Sequence, residues 1–334
     1  MARKLVPALA ICAASFGVGF GSAWALRRGD SFGTERAGPT QQVPARPPGP
    51  RTMAASTAAE DAFQRGFRAL EEERHSDAVA SFRQAAALDA SDPRPHHGLG
   101  KAYQKMALIE LAERSFRTAI EIDPESTASE NDLATLLHDS GRYEEALALL
   151  ETLRAKNPGD HFVTAEIGIN ELALGHVEAA IRHLEEYNAA VGPQPWGATN
   201  LGRALEAAGD DTRAEASYRE ALRSDPAFGI ALHLLGQLLA RTGREDESRR
   251  ALESYRQLRE LETTAHQLAM ALLRQPDDVD SLMRLANIRF RLGKAKEALI
   301  LVDRARGIRP GDPAIEAIRE QVATAARAEE ARGR

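Results

Sequence analysis

One cysteine, Cys12, is all the thiol this 334-residue chain contains. A lone thiol makes no internal disulfide and no thiolate metal cluster. Leu9-Ala10-Ile11 precede it, without the small residue directly before the cysteine that a bacterial lipoprotein signal wants. Cys12 therefore reads as a small hydrophobe within an apolar segment. Aromatic residues are scarce too, at 5%. Ala, Leu, Glu and Arg are abundant instead, a mixture that favours helix because these side chains lose little freedom there. There is no excess of positive charge: the net charge is −6. A general nucleic-acid binder would need a basic field, so that class is excluded.

Catalytic signatures are also missing. The chain has no Gly-rich phosphate loop, no H-E-x-x-H, no C-x-x-C-H and no G-x-S-x-G. Its acidic runs, Glu71-Glu72-Glu73 and Glu144-Glu145, suit solvated helix faces better than a paired-carboxylate site. His96 and His97 are adjacent, and neighbours on a helix do not point the same way, so they make no metal site. No enzyme activity and no cofactor are expected.

The N-terminus does contain a long apolar run. Arg3 and Lys4 precede uncharged residues 5–26, and Arg27 and Arg28 close the stretch. As a helix it would span about 33 Å, close to a bilayer's hydrocarbon thickness. Two readings stay open: an uncleaved membrane anchor over 1–26, or a signal peptide cleaved at Ala23-Trp24-Ala25. The positive charges before the run favour a cytoplasmic N-terminus. Either reading exports the rest, leaving it membrane-anchored outside the cytoplasm or secreted or periplasmic after cleavage. Gly17 and Gly21 form one G-x-x-x-G pair, a possible self-association point. Residues 27–58, with Pro39, Pro44, Pro47, Pro48 and Pro50 and no apolar periodicity, read as a disordered tether. Its end-to-end distance would be roughly 30 Å.

Beyond the tether the chain repeats. Gly66, Gly100, Ala134, Gly168, Gly202 and Gly236 stand 34 residues apart. Twelve residues after each comes a second column: Ala78, Ala112, Ala146, Ala180, Ala214 and Ser248. Four residues beyond that stands a large side chain: Phe82, Phe116, Leu150, Leu184, Tyr218 and Leu252. Small residues let two helices cross closely, and the large one fills the gap beside them. Gly141, Gly175, Gly209 and Gly243 lie between the columns, where glycine permits the left-handed residue that ends a helix. Pro124, Pro158 and Pro226 close units, since proline cannot continue the preceding helix.

A period of 34 residues marks stacked helical hairpins. These registered columns resemble the tetratricopeptide repeat. The resemblance implies an all-α fold: a right-handed superhelical solenoid of helix-turn-helix repeats with a C-terminal cap helix. Six units cover 59–262. A helical insertion or extended helix fills 263–278, a seventh unit 279–312, and a cap helix with its tail 313–334. Glu245 to Arg274 contains no Pro or Gly, so a lengthened second helix is expected there. Two departures stand out. The first unit has Glu73-Arg74-His75 where others have a turn glycine. Val191-Gly192-Pro193-Gln194-Pro195 loosens the joint before Trp196.

The resemblance implies that the first helix of each hairpin lines a concave groove that receives a protein or peptide. Carried onto this chain, the groove residues are Arg94, His97, Lys101 and Lys105, then Asn131 with Asp132 and Thr135. Phe162, Glu166 and Ile169 follow, then Trp196, Thr199, Asn200 and Arg203. His233, Gln237 and Arg241 come next, and Met283, Arg284, Asn287 and Arg291 last. Basic groups gather near both ends of this set and would suit a partner with acidic segments. Phe63 and Phe67 stand where the chaperone-binding subclass begins its carboxylate clamp, which argues against that subclass. The expected function is a non-catalytic scaffold, tethered at a membrane outside the cytoplasm. The alternatives are an accessory module of an envelope enzyme or glycan-handling complex, and a structural self-assembler. The oligomeric state stays open.

Overall fold

Thirteen-residue first helices alternate with slightly longer second helices through most of the chain. The structure, a computed structural model, describes residues 53–332, with side chains over 56–328. The anchor or signal of 1–26 and most of the 27–58 tether lie outside the described residues. The helices are α1 (Met53–Glu71), α2 (His75–Leu88), α3 (Pro93–Lys105), α4 (Ile109–Ile122) and α5 (Thr127–Asp139). Next come α6 (Tyr143–Lys156), α7 (His161–Ala173), α8 (Val177–Val191), α9 (Pro195–Ala207) and α10 (Asp211–Ser224). The last are α11 (Gly229–Arg241), α12 (Glu245–Arg274), α13 (Val279–Arg291), α14 (Ala295–Ile308) and α15 (Pro313–Arg332). Among the described residues there is no strand, and the fold is all-α. Helix α1 reaches six residues into the stretch read as a tether. Met53, Ala54, Ala55 and Ala58 there are strong helix formers.

The chain divides into two units, Met1–Ala146 and Leu147–Arg334, with the division inside α6. In the first, α1 packs on α2 and α3 on α4, while α2 meets α3 and α4 meets α5. In the second, α7 pairs with α8, α9 with α10, α11 with α12 and α13 with α14. Each second helix there also packs on the next first helix, and α15 closes the row against α14.

The small columns are packing sites. A Cβ added at Gly100 would stand 2.4 Å from the Phe116 ring, and one at Gly202 would stand 2.5 Å from Tyr218. In these two hairpins the large residue of the second helix therefore lies directly on the bare backbone of the first. Phe116 and Tyr218 are fully buried in consequence. Ser248 replaces alanine in its column and stays buried by donating its hydroxyl to the Gly236 carbonyl at 2.7 Å.

Every hairpin turn uses one hydrogen-bond pattern. After α5, the Arg142 amide donates to the Leu137 carbonyl at 2.9 Å, around Gly141 at φ 75°. This six-to-one bond satisfies carbonyls at the helix end and needs a left-handed residue. Glu73 (φ 58°) and Ala107 (φ 56°) occupy that position in the first two hairpins. Their turns keep the same bonds, Arg74 N–H to Ala69 at 2.8 Å and Leu108 N–H to Tyr103 at 2.9 Å. The turn's hydrogen bonds are thus kept on a backbone that a side chain with a Cβ disfavours.

Helix α12 is one continuous 30-residue helix. Its C-terminal half buries Ala265, Leu268 and Leu272 with Val279, Leu282 and Leu285 of α13. The joint before Trp196 is ordered by Gly192, at φ 80°, and by the Ser224 hydroxyl donating to the Pro193 carbonyl at 2.9 Å. Cap helix α15 buries Ile315, Val322 and Ala326. Arg319 binds Asp303 at 2.5 Å and Arg306 binds Glu316 at 2.7 Å, which tie it to α14.

Candidate functional site

The first helices carry the candidate surface, and its two units differ. In the first unit the candidate side chains largely hold one another. Asp92 caps α3 by accepting from the Arg94 amide, which leaves a carboxylate beside the Arg94 side chain. Arg94 pairs with Asp92 and with Glu60, both at 2.8 Å, and lies 4.8 Å over the Phe63 ring. The Asp92 hydrogen bond raises the Arg94 pKa further, against the effect of burial. His97 Nε2 lies 2.6 Å from Asp132 Oδ2, and Lys101 Nζ stands 3.4 Å from the same oxygen. Burial alone would raise the Asp132 carboxyl. The His97 hydrogen bond and the Lys101 charge outweigh it and hold the group below its ordinary value. The His97 ring also tilts against Phe116 at 5.8 Å. Lys105 and Thr135 are exposed and Asn131 half-buried.

The second unit places aromatic rings where the first has ions. Asp160 caps α7 through the Phe162 and Val163 amides, which sets Phe162 as the helix's second residue. Phe162 is 62% exposed. Its ring stacks on Trp196 with centroids 5.9 Å apart and meets Tyr187 edge-on at 5.7 Å. Tyr187, from α8, is buried and lies edge-on to Trp196 at 5.8 Å. Burial pushes its phenol pKa up, so the ring stays neutral. One turn along α9, Asn200 donates to the Trp196 carbonyl at 3.0 Å and accepts from Arg203 at 3.1 Å. Arg203 is exposed and has no ion pair among the described residues.

Other candidates in this unit are less available. Thr199 and Asn200 are buried, and Ile169 and Met283 pack against the core. Glu166 is half-buried, and its carbonyl accepts from Asn170 at 2.9 Å. His233 lies 4.9 Å from the Tyr255 ring, and its buried Nδ1 has no hydrogen-bond partner. Arg241 pairs with Glu206 at 3.1 Å and Asp211 at 2.7 Å. Glu206 also accepts from the buried Tyr218 hydroxyl at 2.8 Å. Burial first, and then the Glu206 carboxylate, raise the Tyr218 pKa strongly. Gln237, Arg284, Asn287 and Arg291 are exposed.

Sequence reasoning missed Tyr187, which sits on a second helix outside both small columns. It also missed Glu60, Glu206 and Asp211, which determine which cations are engaged. Glu60 to Arg94 and Glu206 to Arg241 are separated by 34 and 35 residues, so the repeat period was an available signal. No group of three or more His, Cys, Asp or Glu that could hold a metal ion occurs among the described residues. No helix among them is long and apolar enough to cross a membrane.

Comparison with known proteins gives matches along most of the array. Residues 109–163 match a tetratricopeptide repeat model, 70–106 a TPR repeat model, and 199–260 with 249–313 a further tetratricopeptide repeat model. The chain is 33% identical over 183 residues to cellulose synthase operon protein C of Xanthomonas axonopodis pv. citri (strain 306). That match covers 55% of this chain and 10% of the relative. Superkiller complex protein 3 of Homo sapiens is 32% identical over 119 residues, 36% of this chain and 8% of that protein. The chain thus spans a tenth or less of the length of these curated relatives. Among solved structures, pilF of Pseudomonas aeruginosa is similar in fold, with a TM-score of 0.52 at 20% identity. The likeness covers 62% of this chain and 99% of that one.

Proposed function

Because the chain belongs to the tetratricopeptide repeat family, we propose that it is a non-catalytic scaffold that holds another protein against the first helices of its hairpins. The observation that carries this reading is the exposed Phe162 ring stacked on Trp196. The packing columns account for the buried positions, whereas folding does not require a large ring left 62% exposed. Exposed Gln237, Arg284 and Asn287 continue the first-helix surface in the same unit.

The scaffold is tethered to a membrane by residues 5–26 and works outside the cytoplasm. The support is the uncharged 22-residue run behind Arg3 and Lys4. A second reading places the scaffold in an enzyme complex that handles glycans. The identity of 33% to cellulose synthase operon protein C favours it, across the 10% of that protein that is matched.

A photo-crosslinking residue at Gln237, on α11, tests the scaffold reading against one at Glu253, on the second helix α12. The reading expects a discrete adduct from Gln237 and none from Glu253 in cells. Adducts from Glu253 alone would refute it.

A further inference from the structure

Three apolar residues share one register in the second unit. Phe162, Trp196 and Ile230 are the second residues of α7, α9 and α11, 34 positions apart. Phe162 is 62% exposed, Ile230 39%, and Trp196 half-buried. The same register in the first unit holds Arg94 and Ala128. Tyr187 forms a buried floor, edge-on to both other rings. Trp196 and Arg203 are seven residues apart on α9, hence on one face and about 10 Å apart along the axis. Asn200 stands between them and bonds to both residues. Among the described residues no carboxylate pairs with Arg203, unlike Arg241, which Glu206 and Asp211 hold.

Resting on the scaffold reading above, we propose that Phe162, Trp196 and Arg203 form a two-point subsite for a partner peptide. The exposed side of the ring pair receives one large apolar side chain, and Arg203 receives a carboxylate about 10 Å away. That span equals three residues of a polyproline II peptide, whose residues i and i+3 share a face, or seven of helix. The chemistry follows from the site: a ring pair exposed on one side attracts an apolar side chain, and an unpaired guanidinium binds a carboxylate through paired N–H donors. A nucleobase would also stack on such rings, but the chain's net charge of −6 opposes a polyphosphate partner.

The test uses the full chain, purified in detergent. It is applied to an array of capped ten-residue peptides in a Gly-Ser background. Each peptide carries one Phe and one Glu at separations from one to nine, with Lys-for-Glu and Ser-for-Phe controls and a single-stranded oligonucleotide. Binding should peak at a separation of three or seven. Phe162→Ala and Trp196→Ala should each weaken it at least tenfold. Arg203→Gln should abolish the preference for Glu over Lys and keep the preference for Phe over Ser. Melting temperatures of the variants report whether each remains folded, and Phe162→Glu at the same exposed position provides a second probe.

Binding that ignores the Phe or the Glu, that survives all three substitutions, or that the oligonucleotide alone shows would overturn the proposal. If peptides bind but only Gln237→Ala or Arg284→Gln weakens them, the scaffold reading stands and this subsite falls. If no peptide binds while Gln237 still crosslinks a partner, the subsite falls alone. If the crosslink is absent as well, both fall.

Discussion

The second residue of α3 and the second residue of α7 occupy equivalent places in two hairpins and do opposite things. Arg94 closes over Phe63 and is held by Asp92 and Glu60, so that aromatic ring and that cation are both occupied. Phe162 stands 62% exposed, stacked on Trp196, and Arg203, two turns beyond Trp196, pairs with no carboxylate among the described residues. The same helix-hairpin frame therefore carries one surface whose charges are internally matched and one whose rings and cation are available. Repetition sets the frame, and departures from repetition decide where a partner gains contact area. The charge networks teach the same lesson on the second helices. Glu113, Arg117, Arg142 and Glu145 recur 102 positions later as Glu215, Arg219, Arg244 and Glu247, with matching pairings. A set that recurs with its partners belongs to the frame.

The contrast between Tyr187 and Phe162 can be broken most forcefully. Tyr187→Ala should cost about 3–5 kcal/mol in urea unfolding, as loss of a buried aromatic does. Phe162→Ala should cost under about 1 kcal/mol, because most of the ring is outside the core. Equal costs would make Phe162 a core residue and erase the distinction between the two surfaces.

The matched charges of the first unit provide the next test. Asp132→Asn should destabilise by about 1.5 kcal/mol, because His97 and Lys101 lose the carboxylate they share. The carboxyl is lowered from its ordinary value of 3.8. Its stabilisation is therefore complete above that value and is lost as pH falls through the lower, folded value. The difference between wild type and Asp132→Asn should persist down to about pH 5 and shrink below about pH 4. A difference that fades near neutrality would show that the Asp132 charge does not set it.

The hairpin turns sharpen the comparison by a smaller step. Ala107→Gly and Glu73→Gly should each stabilise by about 1 kcal/mol, since both residues hold a left-handed backbone. Gly141→Ala should destabilise by about the same amount. Thermal melts of the three variants check the signs. A loss on Ala107→Gly would show that its methyl group packs more favourably than its backbone is strained.

Much of the fold was legible because packing geometry acts on residue size. Gly100 and Gly202 repeat because Phe116 and Tyr218 lie on their backbones, and size is read directly from the letters. Turn glycines were legible for a conformational reason, the left-handed backbone at Gly141, Gly175, Gly209 and Gly243. The turn at Ala107 was not, because its residue type carries no mark of that backbone. The first-helix positions of Phe162 and Trp196 could be placed from the period. Their stacking on each other over Tyr187 could not, since ring orientation depends on a second helix 25 positions away from Phe162. Nor could the difference between engaged Arg241 and Arg203, which pairs with no carboxylate among the described residues; that depends on side-chain reach between repeats.

Trp196 itself offers the most direct measurement, because Trp24 is the chain's one other tryptophan. In a Trp24→Phe chain, a peptide with Phe and Glu at the favoured separation is titrated while Trp196 emission is followed. A saturable change is expected, which Phe162→Ala removes and which a Lys-for-Glu peptide reproduces only at much higher concentration. An emission spectrum unmoved by the peptide, or moved equally by both peptides, would contradict the two-point subsite.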